Sequence, residues 1–140
     1  MMLSPILKVQ NLETTSTEIT SIWLAANVYL RLGRINQSLM VAHLATQKDA
    51  AQHQRYQSFC IKAIRLGAEF FEEIGNYHYA EQYWQQLTKY TPNESEAWYG
   101  LAVARANLGH FKEAADAANQ VLVLNPQHQK VRSLLIELQQ

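Results

Sequence analysis

A chain of 140 residues that is 48% hydrophobic and only 17% charged has the balance of a folded domain, since disorder needs the reverse. Its 12 basic and 12 acidic residues cancel, which removes any bulk attraction to phosphate backbones or anionic membranes and argues against nucleic-acid and membrane-surface roles. Near-neutrality also weakens colloidal repulsion and favours a bound partner or self-association.

The opening Met1-Met-Leu-Ser-Pro-Ile-Leu-Lys-Val-Gln10 has no basic n-region, and Lys8 and Gln10 interrupt its apolar run. It does not read as a signal peptide, and no later stretch is apolar enough for membrane insertion. Cys60 is the only cysteine, which excludes an internal disulfide and suits a reducing compartment. A cytoplasmic protein is expected, one in which the sequons at Asn36 and Asn93 carry no meaning.

Ser4-Pro5 could cap a short first helix. The main elements are predicted as helices near 16–32, 36–48, 50–74, 78–90, 94–108, 112–124 and 128–139. Thr15-x-x-Glu18, Asp49-x-x-Gln52 and Asn93-x-x-Glu96 read as capping boxes. Between them runs a repeat. Gly75, Tyr77 and Ala80 align with Gly109, Phe111 and Ala114, and Pro92 aligns with Pro126, each pair 34 residues apart. Gly33, Ile35 and Ser38 sketch the same unit 42 residues before Gly75, so the surplus residues should lengthen the helix ending near Ile74. Each unit reads as two antiparallel helices. Glycine supplies the left-handed turn, and the aromatic two later packs into the interhelical angle. A small residue then admits close approach, and proline stops the second helix.

On these residues the chain resembles the tetratricopeptide repeat family. The third unit does so most fully, through Trp98, Leu101, Ala102, Gly109, Phe111, Ala114 and Pro126, although Arg105 stands where Tyr is usual and Ala118 where an aromatic is usual. The second unit contributes Gly75, Tyr77, Ala80, Trp84, Leu87 and Pro92. Its first helix fits two frames, Gly67-Ala68 with Phe71 or Leu66-Gly67 with Phe70. The first unit keeps Ala25-Ala26, Tyr29 and Gly33. The resemblance implies an all-α fold, a right-handed α-solenoid of about three helix-turn-helix units (18–52, 53–94 and 95–126). An N-terminal segment, 1–15, precedes them, and a polar-backed capping helix, 127–140, closes a single domain.

No phosphate loop, nucleophile elbow or His-Glu-x-x-His is present, and the five histidines fall at no metal-ligand spacing. No enzyme, cofactor or metal is therefore expected. Cys60 reads as a buried helix residue. The resemblance implies a concave groove lined by first helices, with Trp23, Asn27, Leu30 and Arg31 from the first unit. The second gives Arg65, Glu69, Glu72 and Glu73 in the Gly75 frame, and the third gives Tyr99, Val103, Ala106 and Asn107.

Glu69, Glu72 and Glu73 are like charges in the last turn of a helix, an arrangement that suits a cation from a partner, or simply a solvated face. Trp23 and Tyr99 are the rigid anchors, although Met2, Leu3, Ile6 and Leu7 could instead cover Trp23 from within the chain and would then have to move for a partner to enter. Family members that clamp the carboxylate end of heat-shock chaperones use basic and Asn residues at set places. Here only Asn27 fits, so no such clamp is expected. The function implied is a module, chaperone-like or adaptor, that holds a partner protein or peptide, with the secretion chaperones of bacterial type III systems as an architectural analogy. The alternative is a structural subunit or homodimer associating through exposed aromatics, Tyr79 and Tyr83 among them.

Overall fold

The computed structural model describes residues 5–140, with side chains from Thr15 onward. Among the described residues are seven α-helices and one 3-10 turn: α1 (Pro5–Arg31), α2 (Ile35–Lys48), the 3-10 turn (Ala50–Gln52), α3 (His53–Glu73), α4 (Tyr77–Tyr90), α5 (Ser95–Asn107), α6 (Phe111–Leu124) and α7 (Gln129–Leu138). They form an all-α repeat fold in two compact units, one up to Ala63 and one from Ile64 on, with the boundary inside α3.

Three helix ends follow directly from glycine. Gly33, Gly75 and Gly109 have φ of 75°, 79° and 81°, a region closed to other residues without strain, and they alone among the described residues have positive φ. The expected surplus is found in α3, which has 21 residues where α5 has 13, a difference of eight that equals the excess of 42 over 34.

The starts of helices follow less simply. Thr15 does not open a helix: α1 runs through it from Pro5. Asp49 does cap, accepting from the Ala51 N–H at 3.0 Å, but it opens the 3-10 turn ahead of α3. Asn93 is not the N-cap of α5 either. Glu94 holds that position without capping through its side chain, because both its oxygens are taken by Arg65.

In unit 1, Ala26, Ala42 and Ala45 are fully buried and let α1 and α2 approach closely. Ser38, also fully buried, satisfies its hydroxyl by donating to the Ile35 carbonyl at 2.6 Å. In unit 2, Leu87, Leu101, Val121 and Val131 are almost completely buried, each contributing about 1.5–3 kcal/mol of apolar burial. Ala104, Ala114, Ala117 and Ala118 line the α5–α6 seam and bring the two helices close together. That closeness corrects one expectation. Ile35 is buried and Tyr77 half-buried after their glycines, but Phe111 is 58% exposed, shut out of a seam built from alanines.

Gly67 and Gly100 serve packing rather than turns. A Cβ on Gly67 would sit 3.1 Å from the Tyr83 ring, and one on Gly100 would collide with Trp84 at Cε2, Cδ2 and Cζ2. Phe71 stacks on Tyr83 at 5.6 Å, while Leu66 and Phe70 are exposed, so the frame in α3 is the one anchored on Gly75. Tyr83, expected to have no inner role, is absorbed by this stack. The last helix is less polar-backed than expected, with Ile136 60% exposed.

Candidate partner-binding surface

The residues expected to face a partner fall into both units and fare differently. In unit 1, Trp23 is 3% exposed and Leu30 8%, which corrects their expected place on an open surface. Trp23 has found its contacts inside the chain. Its Nε1 donates to Gln52 Oε1 at 3.0 Å, Phe59 meets it edge-on at 5.5 Å, and the Arg55 guanidinium lies 4.4 Å from the ring centroid. Asn27 turns back to donate to the Trp23 carbonyl at 2.8 Å, and Arg31 is exposed. The side chains of Met2, Leu3, Ile6 and Leu7, considered as a cover for Trp23, lie outside those described.

Unit 2 builds a more open surface around Tyr99 on α5. The ring lies 4.9 Å from the imidazole of His128, and His128 is itself pinned at both nitrogens. Its Nδ1 accepts from the Val131 N–H at 3.1 Å, capping α7, and its Nε2 lies 2.9 Å from Glu96 Oε1. Because a backbone N–H can only donate, Nδ1 must be bare and Nε2 must carry the proton given to Glu96. Along α5, Val103 and Asn107 continue the Tyr99 face at i+4 and i+8. Val103 and Ala106 are half-buried and Asn107 is exposed, its amide donating to the Val103 carbonyl.

Opposite Tyr99 stands the end of α3. Glu69 and Glu73 are exposed and Glu72 is half-buried, and the last turn of the helix holds no basic residue to answer its negative pole. Partial burial pushes the Glu72 carboxyl above the usual carboxylate range, and the neighbouring Glu69 adds to the rise. Tyr99 is raised too, first by burial and then by Glu72, Glu96 and Glu137. The charges acting on these two residues are all negative.

Beneath Glu72 lies Trp84, 6% exposed, whose Nε1 is buried and makes no hydrogen bond. The indole draws the Glu72 carboxyl downward against the larger effect of burial. Arg65, expected on the same face, is bound chiefly to Glu94 and also attracts Glu69. It grips Glu94 through both terminal nitrogens, one at 2.8 Å, and so holds the Glu94 carboxyl below its ordinary range.

Glu69 thus bears on Glu72, and Glu72 on Tyr99, while Arg65 serves an internal ion pair with Glu94. Sequence reasoning missed His128, Glu96, Glu137 and the Trp84 indole as parts of this surface. Glu96 and His128 are 32 positions apart and no local spacing joins them. Among the described residues no three His, Cys, Asp or Glu side chains are placed to hold a metal ion, and Cys60 is a buried free thiol. No described helix is long and apolar enough to cross a membrane. Unit 1 has two depressions, one between α1 and α2 around Ser21 and Leu44 and one beside it around Ile19 and Asp49.

Comparison with known proteins agrees with the helical repeat. The family model described as tetratricopeptide repeat matches residues 95–128, covering α5 and α6. Among solved structures, the C-terminal TPR-containing domain of a Plasmodium falciparum putative FK506-binding protein is 19% identical, at a TM-score of 0.56 over 86% of this chain and 85% of that one. The second TPR domain of human RPAP3, solved in complex with an HSP70 peptide, is 19% identical at a TM-score of 0.49, over 90% of this chain and 98% of that one.

Proposed function

We propose that this chain, whose residues 95–128 match the tetratricopeptide repeat model within an all-helical repeat fold, is a non-enzymatic protein-interaction module, chaperone-like or adaptor, that holds a partner peptide on the Tyr99 surface of unit 2. The observation that carries the reading is Tyr99 itself. Its ring is braced by His128, ringed by carboxylates, and continued along α5 by Val103 and Asn107. A fixed aromatic beside polar groups is the usual make-up of an interface anchor, with apolar area and hydrogen-bonding capacity side by side.

The test is affinity capture with the wild type and with a Tyr99→Ala, Val103→Glu variant. A partner retained by the wild type and lost by the variant supports the reading. Equal retention moves the binding surface elsewhere.

A second reading, a subunit that associates with another copy, rests on unit 1. Leu24 and Val28 on α1 and Leu32 just past its end recur every four residues and are 67%, 49% and 63% exposed. This apolar stripe takes over from the aromatics of α4, where Tyr83 is stacked inward and Tyr79, 48% exposed, leans on Phe71. Sedimentation velocity separates the readings: a monomer at all concentrations removes the second. A dimer dispersed by Leu24→Ser with Val28→Ser supports it.

A further inference from the structure

We propose that the chain associates head to tail: the apolar stripe of α1 in one copy, Leu24, Val28 and Leu32, packs on a matching stripe of α3 in the next, Leu66, Phe70 and Ile74. This rests on the self-association reading above and adds the surface that receives α1.

Counting back from the turn glycines brings out the match. Leu24, Val28 and Leu32 stand nine, five and one residues before Gly33. Leu66, Phe70 and Ile74 hold the same places before Gly75, and Gly100, Ala104 and Leu108 before Gly109. In α5 this face is covered by a helix of the chain itself. There α4 packs on α5, Trp84 fills the space that a Cβ on Gly100 would need, and Ala104 is fully buried. Small residues at these places let the two backbones come close.

In the first two units the same places hold large apolar side chains, and all six are exposed, Leu66, Phe70 and Ile74 by 42%, 55% and 58%. The α3 stripe also has breadth. Phe70 meets Phe71 edge-on at 5.2 Å, and Phe71 lies 5.2 Å from the half-exposed ring of Tyr79, so the aromatic surface continues from α3 onto α4. A contiguous apolar patch of this kind marks an interaction site.

Shape and charge together select α1 of a second copy as its occupant. Both stripes are ridges of residues four apart, and such ridges pack into the grooves between like ridges on a facing helix. Beside the α1 stripe stands Arg31, exposed and in no ion pair among the described residues. Beside the α3 stripe stand Glu69 and Glu73, both exposed, and Glu73 holds the place before Gly75 that Arg31 holds before Gly33. Arg65 attracts Glu69, but its ion pair is with Glu94, and Glu73 has none among the described residues. When two helices meet antiparallel, the same flank of each comes together, so Arg31 of one copy faces Glu69 and Glu73 of the next. Pairing α3 with α3, or α1 with α1, would instead set like charges against each other.

The giving and receiving surfaces differ, so a copy that has placed its α1 still offers its α3. Such contacts run on into chains or close into rings. One helix face on another is a small interface, and the association should be weak and grow with concentration.

Sedimentation velocity on the full chain over a wide concentration range tests this. The wild type should shift with concentration to two copies and then to larger species. Leu24→Ser with Val28→Ser removes the giving stripe, and Phe70→Ser with Ile74→Ser the receiving one. All four side chains are exposed, and circular dichroism should show wild-type helix content in both variants. Each variant alone should lose self-association and remain a single 16.0 kDa chain. Their equimolar mixture should form a species of two chains and nothing larger, because one variant keeps α3 intact, the other keeps α1, and no second contact is left.

A mixture that stays monomeric would overturn the proposal. Association of Phe70→Ser with Ile74→Ser at wild-type strength, with the α1 variant monomeric, would remove the α3 surface and leave the self-association reading standing. A wild type that is monomeric at every concentration would remove both.

Discussion

Trp23 in unit 1 and Tyr99 in unit 2 are aromatics on first helices of similar hairpins, and the chain treats them in opposite ways. Trp23 is enclosed by Gln52, Phe59 and Arg55, all contributed from the 3-10 turn and the start of α3. Tyr99 meets one ring, His128, and otherwise faces carboxylates. The same motif position is thus a core residue where the neighbouring element brings apolar and hydrogen-bonding groups, and a surface feature where it brings charge. Position in a repeat sets the direction of a side chain. The neighbours decide its use.

The sharpest way to break this contrast is truncation at both places. Trp23→Ala should destabilise the protein by about 3–5 kcal/mol in a denaturant titration, as loss of a buried aromatic does, whereas Tyr99→Ala should cost no more than about 1. Equal losses would mean that Tyr99 is also core. Next in size is Gly100→Ala, which drives a Cβ into Trp84 and should cost about 1–3 kcal/mol despite the better helix propensity of alanine. Combining it with Trp84→Leu should recover part of that loss, and no recovery would place the cost elsewhere.

The smallest effects are electrostatic and have opposite signs. Glu94 is lowered by Arg65, so its contribution is present above the ordinary carboxylate pKa and is lost as pH falls through its folded value. Glu94→Gln should therefore destabilise at pH 7 by about 1 kcal/mol or less, the pair being a third exposed, and the deficit should shrink in acid. Glu72 is raised, so its ionised form opposes folding above that raised value and ceases to do so below the unfolded one. Glu72→Gln should stabilise at pH 7 by a few tenths of a kcal/mol, about the limit of detection, and the gain should vanish in acid. Thermal melts across pH check both, and parallel pH profiles would refute the assignment.

Helix ends were legible from sequence where they depended on one residue. Gly33, Gly75 and Gly109 fix three C-termini, and the eight surplus residues were traceable to α3 because no glycine or proline lies between Gly33 and Gly67. Helix starts were less legible, because a capping box can be present and unused. Thr15 is overrun by α1, and Glu94 is diverted by Arg65, 29 positions away. For the candidate surface, α3 and α5 could be aligned by motif, which brought Glu72 and Tyr99 forward together. Burial could not be read that way. Trp23 depends on Gln52, also 29 positions distant, and the His128 contacts to Glu96 and Tyr99 exist only once α7 is docked.

That docking bears on the thermodynamics of association. His128 has one nitrogen committed to the backbone of α7 and the other to Glu96, so its imidazole cannot rotate without breaking a bond. The Tyr99 ring resting on it is held by a neighbour with no freedom of its own. A ligand that settled on Tyr99 would find a side chain whose rotamer entropy folding has already removed, about 0.5–1.5 kcal/mol that association would not have to supply. A histidine that touches no partner can in this way set how tightly one is held.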